Sequence, residues 1–100
     1  MARGSIQGVL EGETLLKDIS ITGCCLECNV IADIQIGSQY ELDIDPERVS
    51  GIGHFQLLVE CKWMRDDKYS TVIGFLIVAS PKGRQFQRYV DYMTYRNSGG

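Results

Sequence analysis

The sequence predicts a mainly β domain, a closed or nearly closed six-stranded antiparallel β-barrel completed by one C-terminal α-helix. Three patterns lead there. Apolar and polar residues alternate along much of the chain up to Ser80, which is the two-residue period of half-buried strands. Glycines and charged pairs cut that alternation into short segments, and short antiparallel strands dispose of their free edges by closing on themselves. Only the last quarter of the chain changes to helical spacing. With 100 residues there is material for one hydrophobic core, so a single domain is expected over 1–96, with "NSGG" at 97–100 as a flexible tail.

Each element has its own signal. "VLEGETLL", Val9 to Leu16, sets two apolar runs around Glu11-Gly12-Glu13, a hairpin pattern that predicts strands over Ser5–Leu10 and Thr14–Ile19. In "CCLECNVIADI", Cys24, Leu26, Cys28 and Val30 fall on one face, expected inward, against Cys25, Glu27 and Asn29. "GSQYELDID" sets Tyr40, Leu42 and Ile44 against Gln39, Glu41, Asp43 and Asp45, and Pro46 ends the strand. Phe55, Leu57, Val59, Cys61 and Trp63 alternate in "FQLLVECKW". A charged turn, Arg65-Asp66-Asp67-Lys68, leads into "YSTVIGFLIVAS", whose β-branched and aromatic residues complete a long central hairpin. Ser80 has the chemistry of a helix N-cap and Pro81 that of a first helical residue. Phe86, Tyr89, Val90 and Met93 then form an apolar stripe opposite Arg84, Arg88 and Asp91, so the helix should cap one end of the sheet.

Charge narrows the function. A net charge of -3 and a pI near 5.0 argue against DNA, RNA or an anionic membrane as general partner, because those surfaces select basic faces. A small anionic ligand held by a local basic patch stays open. No apolar run reaches the roughly 18 residues of a spanning helix, and "MARGSIQG" lacks the apolar core of a signal peptide. The expected compartment is the cytoplasm, where the 4 cysteines stay reduced.

Cys25 and Cys28 have the C-x-x-C spacing of metal and redox sites, yet on an extended strand residues three apart point to opposite faces. Cys61 stands alone and His54 is the one histidine, so the thiols read as small buried hydrophobes and no metal is expected. Asp43, Asp45 and Glu47 in "DIDPER" lack the glycine of a calcium loop and read as solvated acids before a turn. "GIGHF", Gly51 to Phe55, has no helix after it to bind phosphate and reads as a connection. Without a nucleophile beside a base, no enzyme is expected. "DISITG" is different. Asp18 and Ser20 leave a strand on one face and Gly23 permits a tight bend, so this corner either offers a carboxylate and a hydroxyl to a ligand or satisfies its own backbone donors.

"DISITG", Asp18 to Gly23, resembles the D/N-x-S-x-x-G motif of PilZ domains, the bacterial receptors for cyclic di-GMP. Leu16 before the aspartate, Leu26 after the glycine, Trp63 at the end of a later strand, Gly74-Phe75 in its hairpin partner and Phe86 in the closing helix extend the likeness over roughly Ile6 to Tyr92. The resemblance implies a PilZ-like β-barrel that works as a non-enzymatic signalling module, with cyclic di-GMP as candidate ligand and no cofactor. It implies that Asp18 and Ser20 hold a guanine edge and that Gly23 lets the strand approach the ligand. In such receptors a preceding R-x-x-x-R arm supplies most contacts to guanine faces and phosphates, its guanidinium groups pairing with phosphate oxygens in forked geometry and stacking on bases. Here Arg3 is the one arginine before Asp18, and no arginine lies four residues from it. Either the natural protein extends ahead of residue 1, or the arm is lost and affinity falls with it.

The ligand-binding residues expected are therefore Asp18, Ser20, Gly23, Arg3 and Arg65, with Arg65 favoured over Lys17, Arg84 and Arg88 as a replacement cation. Transmission would run to a partner protein or domain. The rival reading keeps the fold but makes the chain a protein-protein interaction module without nucleotide, its contact surface the helix with Tyr89, Tyr92 and Tyr95. A third reading, a thiol sensor, requires Cys25 to be exposed and acidic.

Overall fold

The computed structural model describes residues 1–29, 33–80 and 84–97. Six strands, β1 (Arg3–Ser5), β2 (Thr14–Ile19), β3 (Gly23–Cys28), β4 (Gln39–Asp45), β5 (Phe55–Asp66) and β6 (Thr71–Ala79), close into an antiparallel barrel in the order β1-β2-β3-β6-β5-β4. A short 3-10 turn, Arg48–Ser50, joins β4 to β5, and helix α1 spans Gln85–Asn97. Every strand is thereby hydrogen-bonded on both sides, as the sequence pattern requires of strands this short.

The inward alternation is largely as expected. Leu16, Ile19, Cys24, Leu26, Cys28, Leu42, Ile44, Phe55, Leu57, Val59, Cys61, Ile73 and Phe75 fill the barrel. Thr14 points inward among them, fully buried, and its Oγ1 has no hydrogen-bond partner. Val30, expected on the same face as Cys28, lies outside the described residues.

Three expectations need correction. The first strand is Arg3–Ser5, not Ser5–Leu10. The Ile6–Leu10 segment folds back on itself, with the Ile6 and Leu10 amides each donating to the other's carbonyl, and Gly8 supplies the left-handed backbone (φ 75°) at its bend. Apolar Ile6 and Leu10 are both buried, so a tight turn with two inward ends mimicked a strand. Second, Ser80 is not the helix N-cap. The Arg84 carbonyl accepts the first intrahelical bond from the Arg88 amide, and α1 starts at Gln85; Pro81 lies outside the described residues. Third, Asn97, expected to open the tail, closes the helix, and 98–100 are outside the described residues.

The stripe on α1 is real. Phe86, Tyr89, Val90 and Met93 are buried, and Phe86 and Tyr89 pack their rings 5.9 Å from that of Phe55 at the foot of β5. The helix thus caps the barrel end where β5 begins.

Candidate functional site

Two β-bulges build the outer surface that matters. Along β2, Leu16 pairs with Leu26 but Asp18 pairs with Cys25, so Lys17 and Asp18 together oppose one residue of β3. A regular strand would turn Asp18 into the core; the extra residue turns it out. Along β5, Cys61 pairs with Phe75 and Trp63 with Gly74, so Lys62 is the additional residue. Trp63 therefore leaves the inward series of Phe55 to Cys61 and stands outside, 43 % exposed.

The registers now line up. Asp18, Cys25, Gly74 and Trp63 are successive cross-strand neighbours over β2, β3, β6 and β5. Gly74 has no side chain, and the indole of Trp63 lies in the space: a Cβ built on Gly74 would overlap indole atoms Cε2, Nε1 and Cζ2. An aromatic ring laid over a glycine of the next strand also stabilises a sheet. In the adjacent row Leu15, Glu27, Val72 and Arg65 follow one another, and the Arg65 guanidinium sits 5.9 Å from the Trp63 ring centroid in a cation–π contact.

Lys17, Asp18, Cys25, Glu27, Trp63, Arg65, Asp67 and Val72 line one open groove of about 540 Å³. Its charge is mixed, with Lys17 and Arg65 facing three carboxylates, and Lys17 Nζ stands 3.9 Å from Glu27. Burial pushes the Cys25 thiol above its ordinary pKa, the Asp18 carboxylate adds to that, and Lys17 and Arg65 oppose it. Cys25 is half-buried with a disfavoured thiolate, which is the reverse of the exposed, acidic thiol that a sensor needs. Cys24 and Cys28 face the core while Cys25 faces out, so the C-x-x-C pair is split between the two sides of the sheet.

The expected site residues are only partly brought together. Asp18 and Arg65 share the groove. Ser20 and Gly23 do not line it; they close the β2–β3 hairpin. Ser20 Oγ accepts from the Thr22 and Gly23 amides at 3.3 and 3.2 Å, and the Ser20 amide donates to the Gly23 carbonyl at 2.8 Å. Gly23 has the space constraint rather than the bend: a Cβ there would lie 2.8 Å from the Phe75 carbonyl oxygen. Arg3 pairs with Leu15, so it stands on the Glu27–Arg65 row, but on β1 and outside the residues that line the groove. It borders instead a groove of about 550 Å³ with Asp43, Asp45 and His54, and a smaller one that shares Glu27.

Some assignments from sequence change. Glu47 is not a solvated acid: its side chain is 8 % exposed and accepts from the Tyr89 hydroxyl (2.6 Å) and Arg96 Nη1 (3.0 Å). Tyr89 is fully buried and its hydroxyl is pushed above the usual tyrosine range by burial and by Glu47, so it offers no contact surface, whereas Tyr95 is exposed. Trp63 is a groove residue that sequence reasoning misses. The signal was present, a tryptophan and an arginine two apart in one strand with a glycine in the strand it pairs with, but the bulge that everts them was invisible.

Among the described residues no cluster of three or more histidine, cysteine or acidic side chains could hold a metal ion, and no helix is long and apolar enough to cross a membrane. Neither a curated protein nor a solved structure matches the chain. A family model described as PilZ domain matches residues 4–93, from β1 through Met93 of α1. That span takes in the barrel from Gly4 onward, the groove and the helix stripe, leaving Arg3 just outside it, and the chain belongs to the PilZ domain family.

Proposed function

We propose that this PilZ domain binds cyclic di-GMP at the Asp18–Trp63 groove and passes the signal to a partner protein or domain, in the cytoplasm and without catalysis. One observation carries the reading: a carboxylate and an exposed indole end the same cross-strand row, joined across an open groove. A purine laid on the Trp63 face gains stacking energy of about 1–3 kcal/mol, and Asp18 can accept from the donor edge of a guanine. Lys17 and Arg65 are the cations within reach of a phosphate. Ser20 and Gly23 act one step back, by holding the hairpin that presents Asp18. Arg3 contributes only if the ligand extends toward β1.

The same groove favours a second reading. Its three carboxylates outnumber its two cations, which weakens the hold on a dianionic nucleotide. In that case the domain works as a protein-protein interaction module.

Calorimetric titration with cyclic di-GMP, followed in parallel by the fluorescence of the single tryptophan, separates the two. Receptor function predicts micromolar or tighter binding with a change in Trp63 emission, lost in Asp18→Ala and in the Asp18→Ala, Ser20→Ala pair. Absence of heat and of any emission change, in a chain shown to be folded, rejects nucleotide binding and leaves the interaction module.

A further inference from the structure

We propose that α1 is a clamp that releases from the barrel as a unit, with Glu47 as its catch. The barrel closes through its strands alone, each paired on both sides, so no strand pairing depends on the helix. The helix is attached through side chains. On its inner face Phe86 and Tyr89 meet Phe55, and two residues seven positions apart, Tyr89 and Arg96, converge on the one carboxylate of Glu47. Seven residues are two helical turns, so the catch grips the helix at its middle and again near its end.

Glu47 is itself held in place. Pro46 precedes it, and its carbonyl accepts from the Ser50 hydroxyl (2.7 Å) and the Ser50 amide (3.0 Å) in the 3-10 turn. The backbone that carries the carboxylate is therefore anchored by the turn and not by the helix. A free helix of this length is marginal in water, so a released α1 unwinds instead of swinging as a rod. Release uncovers Phe55 at the foot of β5, the strand whose far end carries Trp63 and Arg65. The catch works independently of any nucleotide.

Native-state hydrogen exchange of the whole chain tests this, with wild type, Glu47→Ala and Arg96→Gln compared. In Glu47→Ala the amides of Tyr89 to Met93 should exchange about 10- to 100-fold faster, since the buried Tyr89 hydroxyl loses its charged acceptor and the exposed Arg96 adds less, while β3 and β6 amides keep their rates. Arg96→Gln should give a smaller increase confined to the same helix. It alters a side chain 57 % exposed, and so decides the matter if Glu47→Ala fails to fold. Equal acceleration of α1, β3 and β6 would make the helix part of one cooperative unit and overturn the proposal; so would unchanged α1 rates.

Discussion

Adding one methyl group at Gly74 should dislodge the indole that floors the groove. The Cβ of Gly74→Ala would fall 2.6 Å from Trp63 Cζ2 and nearer still to two further ring atoms, where ordinary contact begins at about 3.4 Å. The barrel has two responses. If the ring stays, β5 and β6 must part, and overpacking of this kind costs about 1–3 kcal/mol. If the ring swings out, it gives up the contact that now keeps more than half of it from water. Taking about 200 Å² for a tryptophan, roughly 100 Å² of apolar surface is then exposed, which costs about 2.5 kcal/mol. Both routes converge near 2 kcal/mol, enough to lower the melting temperature of a domain this size by roughly 10 °C. The assay is urea unfolding followed by far-ultraviolet circular dichroism, which reads chains with and without the indole; where Trp63, the single tryptophan, is kept, its native emission maximum should also move to longer wavelength. The cycle closes with Trp63→Ala: once the ring is gone the added methyl has room, so Gly74→Ala should become neutral or slightly stabilising in that background. An equal cost in both backgrounds, or a native emission maximum that does not move, would refute the stacking of Trp63 on Gly74.

Two further outcomes follow from the core. Thr14→Val removes a buried hydroxyl that has no partner and keeps the branched shape, so it should raise stability by about 1 kcal/mol, read as a higher urea midpoint at constant m-value. Cys24 contributes to the alkaline limb of stability, beside Cys25, Cys61 and Tyr89, which burial also pushes up. Burial, with Cys25 and Asp18 adding, pushes the Cys24 thiol up from 9.0 to about 12; above pH 9 the unfolded chain gives up this proton while the folded one keeps it. Stability should therefore fall between pH 9 and 12, by up to about 4 kcal/mol, and Cys24→Ala should flatten that slope in denaturation curves taken across the interval.

What could be read from the chain depended on whether a signal was periodic. Alternation in β3, β4 and the first half of β5, and helical spacing from Phe86 to Met93, named the inward residues correctly because burial imposes one period per element. The failures sit where the period breaks. Ile6 and Leu10 are both inward, yet a turn that folds back through Gly8 brings them there. The bulges at Lys17 and Lys62 each insert one residue, and nothing local in "LLKDI" or "ECKWM" marks that insertion. Glu47 looks like a solvated acid from its neighbours because its partners, Tyr89 and Arg96, lie more than forty residues away in sequence.

The "DISITG" motif divides into two kinds of work. Ser20 and Gly23 have their polar and steric demands met inside the hairpin, by backbone amides and by the close approach of β6 at Phe75. A barrel that never met a nucleotide would still need them. Asp18 differs, because its carboxylate is turned outward by a bulge and faces Cys25, Lys17 and Arg65 instead of a backbone donor. The motif as a whole therefore testifies to the fold, while under the proposed function ligand recognition would rest on Asp18 and on residues outside the motif. It follows that Ser20→Ala should act mainly on stability and Asp18→Ala mainly on binding. Chemical denaturation and nucleotide titration, run on both single variants, separate the two roles; a Ser20→Ala chain of wild-type stability that had lost its binding would show that the hydroxyl serves the ligand directly.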